Sequence, residues 1–286
     1  MNDVNFRFVQ ANGIRFRVAE LGEGPLVLFL HGWPESWYSW RHQMQAVAEA
    51  GYRAAAPDMR GYGDTDKPEP VEAYDMHHLM ADVTALVRAL GEDRCHLVGH
   101  DWGAIVAWPT VVRFPEYFIT LTNMSVPYIG HSHDSLTNIL KAMHGDDFNY
   151  ILYAQEPGVA EAEYDSDVRG FLKRQYISPD TPKHPPLVTD PKRSAGGWIP
   201  RLGEPKELPP WLTQENLDYF VAEFERAGFR GGVNYYRNFH RNWETMPEFA
   251  DLKCNTPTLF IAGEKDPVIR RSDAETLKRI MADAVP

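Results

Sequence analysis

The stretch "VGHDWGA", Val98 to Ala104, decides how the chain is read. It closes the apolar run "CHLVGH" and opens the helical pattern "WGAIVAWPTVVRF". Gly99, Asp101 and Gly103 form G-x-D-x-G, the sharp strand-to-helix turn that usually presents a serine nucleophile at its middle position. Side chains at 99 and 103 would collide with the neighbouring helix and strand, so the two glycines fit a tight turn. Aspartate is also a common helix N-cap. The turn alone therefore leaves capping and chemistry open, and the surrounding sequence has to choose.

Outward from this turn, short apolar runs alternate with helical patterns. "PLVLFLHG" (25–32) and "YRAAAPD" (52–58) read as buried strands, and "FITLTNMSV" (118–126) as another. "ESWYSWRHQMQAVAEAG" and "MHHLMADVTALVRALG" read as helices between them. Such alternation predicts an α/β fold with a mainly parallel sheet and helices on both faces. "NFRFVQANGIRFRVAEL" brackets Asn12-Gly13 and predicts an antiparallel hairpin at one sheet edge. The alternation stops near residue 130 and resumes at "TPTLFIAGEKD" (256–266). Nine prolines fall between Pro179 and Pro210, too many for regular structure. "LTQENLDYFVAEFERAG" is amphipathic, with Leu217, Phe220, Val221 and Phe224 on one stripe. We expect a core over 1–130, an inserted helical lid over 131–245, and the rest of the core over 246–286.

Composition narrows the function. With 43% hydrophobic residues the 286-residue chain can bury a large core. Its net charge of -11 and lack of a basic stretch exclude a nucleic-acid partner. No apolar run reaches the roughly 18 residues of a membrane span, and the N-terminus lacks a signal-peptide pattern. A cytoplasmic protein with no membrane partner is expected. Cys95 and Cys254 show no metal-ligand spacing and read as buried thiols in strand-like runs; no metal or cofactor is expected.

"HGWP" (31–34) directly follows a buried strand, where the α/β-hydrolase fold carries the loop with a second oxyanion-hole amide. The amides of Trp33 and Trp102 are then expected to converge on one oxygen, and the Trp33–Pro34 bond to be cis. "HGWPESWYSWRHQ", "PDMRGYGDTDKP", "GHDWGA", "YAQEPGVAEAE" and "NYYRNFHRNW" together resemble the α/β-hydrolase family, and within it the epoxide hydrolases, over essentially the whole chain. An epoxide has no carbonyl, so it requires an anionic nucleophile. A carboxylate with an ordinary pKa of about 3.9 is ionised without a base, and the ester it forms can be hydrolysed.

The resemblance implies further roles. Tyr150 and Tyr236 would protonate the opening epoxide oxygen, with Tyr153 and Tyr235 as neighbours that could be mistaken for them. Trp33, Trp102 and Tyr153 would line the substrate site. Asp266, just past "LFIAG", would be the charge-relay acid, with Glu264 as the near competitor. His31 is expected to hold the oxyanion loop and His100 to shape the elbow. The family's general-base histidine follows a final strand, yet the last histidine here is His240, inside the lid. The expectation is thus a longer enzyme whose base lies outside these residues. Haloalkane and haloacetate dehalogenases share an elbow aspartate, and a non-catalytic ligand receptor on the same scaffold is a further alternative. The epoxide, its stereochemistry and the oligomeric state stay open, a homodimer included.

Overall fold

The computed structural model describes residues 4–128, 130–266, 269 and 274–285. The hairpin comes first: β1 (Asn5–Ala11) and β2 (Ile14–Leu21) pair antiparallel, with Ala11 opposite Ile14. Asn12 and Gly13 both have positive φ (49° and 72°), as a two-residue primed turn requires. β3 (Leu26–Leu30) is buried at every position, and a short 3-10 turn leads into α1 (Arg41–Glu49) and β4 (Arg53–Pro57). α2 (Met76–Ala89), β5 (Cys95–His100), α3 (Trp102–Arg113) and β6 (Phe118–Met124) continue the alternation. α3 runs on through Pro109 in its interior.

Between β6 and the next strand the chain is helical: α4 (Leu136–His144), α5 (Tyr150–Tyr153), α6 (Val159–Ser166), α7 (Val168–Gln175), α8 (Gln214–Ala227), α9 (Arg230–Arg237) and α10 (Phe239–Thr245). β7 (Thr258–Ile261) then rejoins the sheet, and α11 (Ala274–Ala284) follows. The sheet order is β1-β2-β4-β3-β5-β6-β7, parallel from β4 onward. β5, which delivers Asp101, lies between β3 and β6, so the elbow is flanked on both sides by strand ends. Cys95 opens β5 as expected. Cys254 is also buried, but it sits in the loop before β7 rather than in a strand. Its Sγ contacts the Thr256 carbonyl and the hydroxyl of Thr258, the first residue of β7. Residues 270–273 lie outside the described residues.

The helical segment is tied to the sheet by buried charge. Arg17 on β2 reaches Asp58 after β4 at 2.5 Å, Asp64 at 3.0 Å and Glu223 on α8. Arg226 on α8 bonds Glu223 at 2.8 Å and also Asp64. The apolar stripe of α8 faces inward, with Leu217, Phe220, Val221 and Phe224 all buried. On α9 the contact is barer still. A Cβ on Gly231 would run into the Gly61 backbone, and one on Gly232 would run into the Trp33 ring and the Tyr62 hydroxyl. Only glycines allow α9 to lie this close to the core. Among the described residues no helix is long and apolar enough to cross a membrane.

Candidate active site

Asp101 sits between β5 and α3 with φ 50° and ψ -116°, a backbone region that a residue with a side chain enters at a cost of about 1–3 kcal/mol. The glycines around it explain why the turn closes. A Cβ on Gly99 would come within 2.6 Å of Asn123 Oδ1 and of the Gly103 carbonyl, and one on Gly103 would strike the Leu30 carbonyl. Gly32 completes the set: its Cβ would lie 2.5 Å from that of Asp101. The elbow and the loop after β3 are thus pressed together.

That proximity brings two amides onto one carboxylate. The Trp33 N–H donates to Asp101 Oδ1 at 2.8 Å, and the Trp102 amide bonds the same side chain. The Trp33–Pro34 bond is cis. Burial pushes the Asp101 pKa up, the His100 charge and the two amides pull it down, and it settles at about 6. The carboxylate is therefore mostly ionised at neutral pH, though buried.

His31 holds the loop from beneath. The Met59 N–H donates to its Nε2 at 3.0 Å, so Nδ1 carries the proton and donates to the Gly32 carbonyl at 2.9 Å. Burial keeps this imidazole neutral by lowering its pKa. His100 behaves in the opposite way. Its Nδ1 pairs with Glu35 Oε1 at 3.0 Å, and Glu35 Oε2 accepts the Gly32 N–H at 3.0 Å. The Glu35 charge raises the His100 pKa to about 9 against burial, with Asp101 and Asp266 adding to it. Burial alone would raise Glu35, but the His100 charge and the hydrogen bonds from His100 and Gly32 hold it below the usual carboxylate range. Sequence reasoning gave Glu35 no role. The available signal was an acid immediately after "HGWP", but its partner, His100, lies on a separate segment far along the chain.

Above the carboxylate lies an aromatic shell. Tyr236 on α9 meets Trp102 edge-on at 5.0 Å and Trp33 at 6.0 Å. Tyr150, at the start of α5, meets Tyr236 at 5.8 Å, and the two phenols share a hydrogen bond. Burial and then the Asp101 charge raise the Tyr150 pKa; for Tyr236, burial and Tyr150 come first and Asp101 next. Both hydroxyls therefore lie within the field of Asp101. The neighbouring tyrosines point elsewhere. Tyr235 donates to the Arg60 carbonyl at 2.9 Å, and the Tyr153 hydroxyl bonds Glu163, with its ring against Phe148 at 5.4 Å. Tyr153 thus faces another part of the helical segment, whereas Trp33 and Trp102 face the phenols.

Asp266 lies in a turn after β7, its N–H donating to the Gly263 carbonyl at 3.0 Å, close enough for its charge to act on His100. Glu264 is exposed in the same turn. His240 is engaged on α10 with Ser135 and Glu244, at 3.0 and 3.2 Å. Among the described residues no group of three or more His, Cys, Asp or Glu side chains is placed to hold a metal ion.

Comparison with known proteins agrees with this architecture. The sequence profile of the alpha/beta hydrolase fold matches residues 25–284. Epoxide hydrolase A of Mycobacterium tuberculosis is 44% identical over 92% of this chain and 83% of its own length. Epoxide hydrolase 2 of Siraitia grosvenorii is 42% identical over 93% of this chain and 82% of its own length. The crystal structure of epoxide hydrolase A from Mycobacterium thermoresistibile superposes with a TM-score of 0.89 at 42% identity, over 98% of this chain and 88% of that one. The chain belongs to the alpha/beta-hydrolase fold family and, within it, to the epoxide hydrolases.

Proposed function

We propose that the protein hydrolyses small-molecule epoxides to vicinal diols through an alkyl ester on Asp101. The observation that carries this is one carboxylate at a strained elbow, with two backbone amides on one side and two phenols on the other. Oδ1, held by the Trp33 amide, stays behind as the ester carbonyl, and Oδ2 attacks the epoxide carbon from the face opposite its oxygen. The carbon–oxygen bond breaks, and the oxygen takes a proton from the phenol pair of Tyr150 and Tyr236. The phenols also favour an epoxide over a carbon–halogen bond, because a leaving halide needs no proton whereas an alkoxide does.

Water then attacks the ester carbonyl, and the amides of Trp33 and Trp102 receive the oxyanion. Activating that water takes a base. His100 is protonated at neutral pH, and both ring nitrogens of His31 are engaged, so neither fills that role. Asp266 is assigned the charge-relay carboxylate, on its position past β7 at the edge where Asp101 emerges.

The test is intact-mass spectrometry after mixing with styrene oxide. Rapidly quenched samples are expected to carry the mass of one epoxide, and the diol is expected to appear in solution. The rate should rise with pH through about 6, as Asp101 loses its proton. Freshly purified Asp101→Asn should gain nothing. An equal gain in that variant would defeat the assignment.

A further inference from the structure

Tyr150 sits on the first turn of a four-residue helix, too short to fix its own side chain. Two rings fix it instead. Tyr236 meets it edge-on, and Trp198 stacks on its ring, with centroids 4.6 Å apart and planes 13° apart. Trp198 belongs to the proline-rich stretch, whose backbone forms short turns and isolated bridges (Asp147 with Lys192, Lys183 with Pro205) between α7 and α8. Neither bridge includes Trp198, so the indole needs a further hold.

Glu163 on α6 supplies the hold. Its Oε2 accepts the Trp198 N–H at 2.8 Å, its Oε1 accepts the Ile199 N–H at 3.0 Å, and the Tyr153 hydroxyl donates to the same carboxylate. A Cβ on Gly197 would collide with that carboxylate, so the clamp closes only on glycine. Tyr164 and Phe171 support the indole at 5.9 and 5.5 Å, both tilted 62° to it. A line of contacts thus runs from α6 through Trp198 and Tyr150 to Tyr236, which packs on Trp102 beside the nucleophile.

We propose that Trp198, clamped by Glu163, is the positioning residue that aims the Tyr150 phenol at the epoxide oxygen. This rests on the reading of Tyr150 as a proton donor in ring opening. A donor held off line loses most of its effect, since small displacements in a reacting geometry are costly.

The experiment follows the first turnover alone, by rapid quench and intact mass at saturating styrene oxide, before ester hydrolysis contributes. Trp198→Ala should slow alkylation about tenfold, a fraction of what a general acid contributes. Combining it with Tyr150→Phe should give no further loss, because without the phenol there is nothing to aim. Trp198→Phe keeps an aromatic face and should recover most of the rate. Glu163→Gln, which offers one acceptor oxygen for two amides, should fall between. Near-ultraviolet circular dichroism separates misfolding from misaiming, and the two milder variants carry the test if Trp198→Ala does not fold. Losses that multiply in the double variant, or a wild-type rate in Trp198→Ala, would overturn the positioning role alone. Neither an adduct nor diol from the wild-type protein would overturn it together with the proposed function.

Discussion

Asp101 is asked to be charged in a place that does not favour charge. Burial raises its pKa from 3.8 to about 6, a difference worth about 3 kcal/mol against the folded state once the group is ionised in both states. The sign is fixed by the direction of the shift. Below pH 3.8 both states hold the proton and the penalty is absent; it grows from there to about 6 and is complete above. Asp101→Asn removes it. The variant is therefore expected to be more stable than the wild type at pH 7 to 8, by up to about 3 kcal/mol, and to lose that advantage near pH 4. Urea unfolding at the two pH values checks this; equal stabilities at pH 8 would mean that the amides and His100 fully offset the burial.

At the scale of elements, the elbow depends on how closely α3 approaches β3. Gly103 is where they touch: any side chain there meets the Leu30 carbonyl, which is sheet backbone and cannot swing aside. Gly103→Ala should cost about 3 kcal/mol, the range of overpacked buried sites, and show as a lowered thermal midpoint. This part of the molecule was legible in sequence because it obeys short-range rules. Apolar runs with turn residues marked the strands, Asn12-Gly13 marked the hairpin, and G-x-D-x-G marked the elbow. Glu35 and His100 were not legible as a pair, since two residues on separate segments leave no period to read. Glu163 and Trp198 were hidden for a related reason. A carboxylate that clamps an irregular, proline-rich segment answers to tertiary contact rather than local pattern. Tyr150 and Tyr236 could be picked out from their neighbours only by resemblance, because four tyrosines share two short helices and only packing decides which of them turn inward.

Across the whole molecule, the helical segment is joined to the sheet through Arg17, which faces three carboxylates and has a side chain only 10% exposed. Removing the cation leaves buried Asp58 without its ion-pair partner and Glu223 with Arg226 alone. Arg17→Met should therefore cost about 3–5 kcal/mol, well above the loss of a surface pair. Adding Glu223→Gln should return part of the loss by relieving the repulsion with Asp58. Chemical denaturation of the single and double variants tests both statements, and a loss under about 1 kcal/mol in the single variant would show that water reaches the network.

The bare contact between Gly61 and Gly231 has a mechanical meaning. It is a hard stop, backbone seated on backbone, with no soft side chain between the surfaces to be compressed or to relax. α9 carries Tyr236 little more than one turn beyond that stop, so the seat acts as the gauge that sets how deep the phenol reaches toward Asp101. A methyl group added at 231 would work as a shim, lifting the helix by about its own thickness. The gap between acid and nucleophile would widen, while the sheet beneath kept its register.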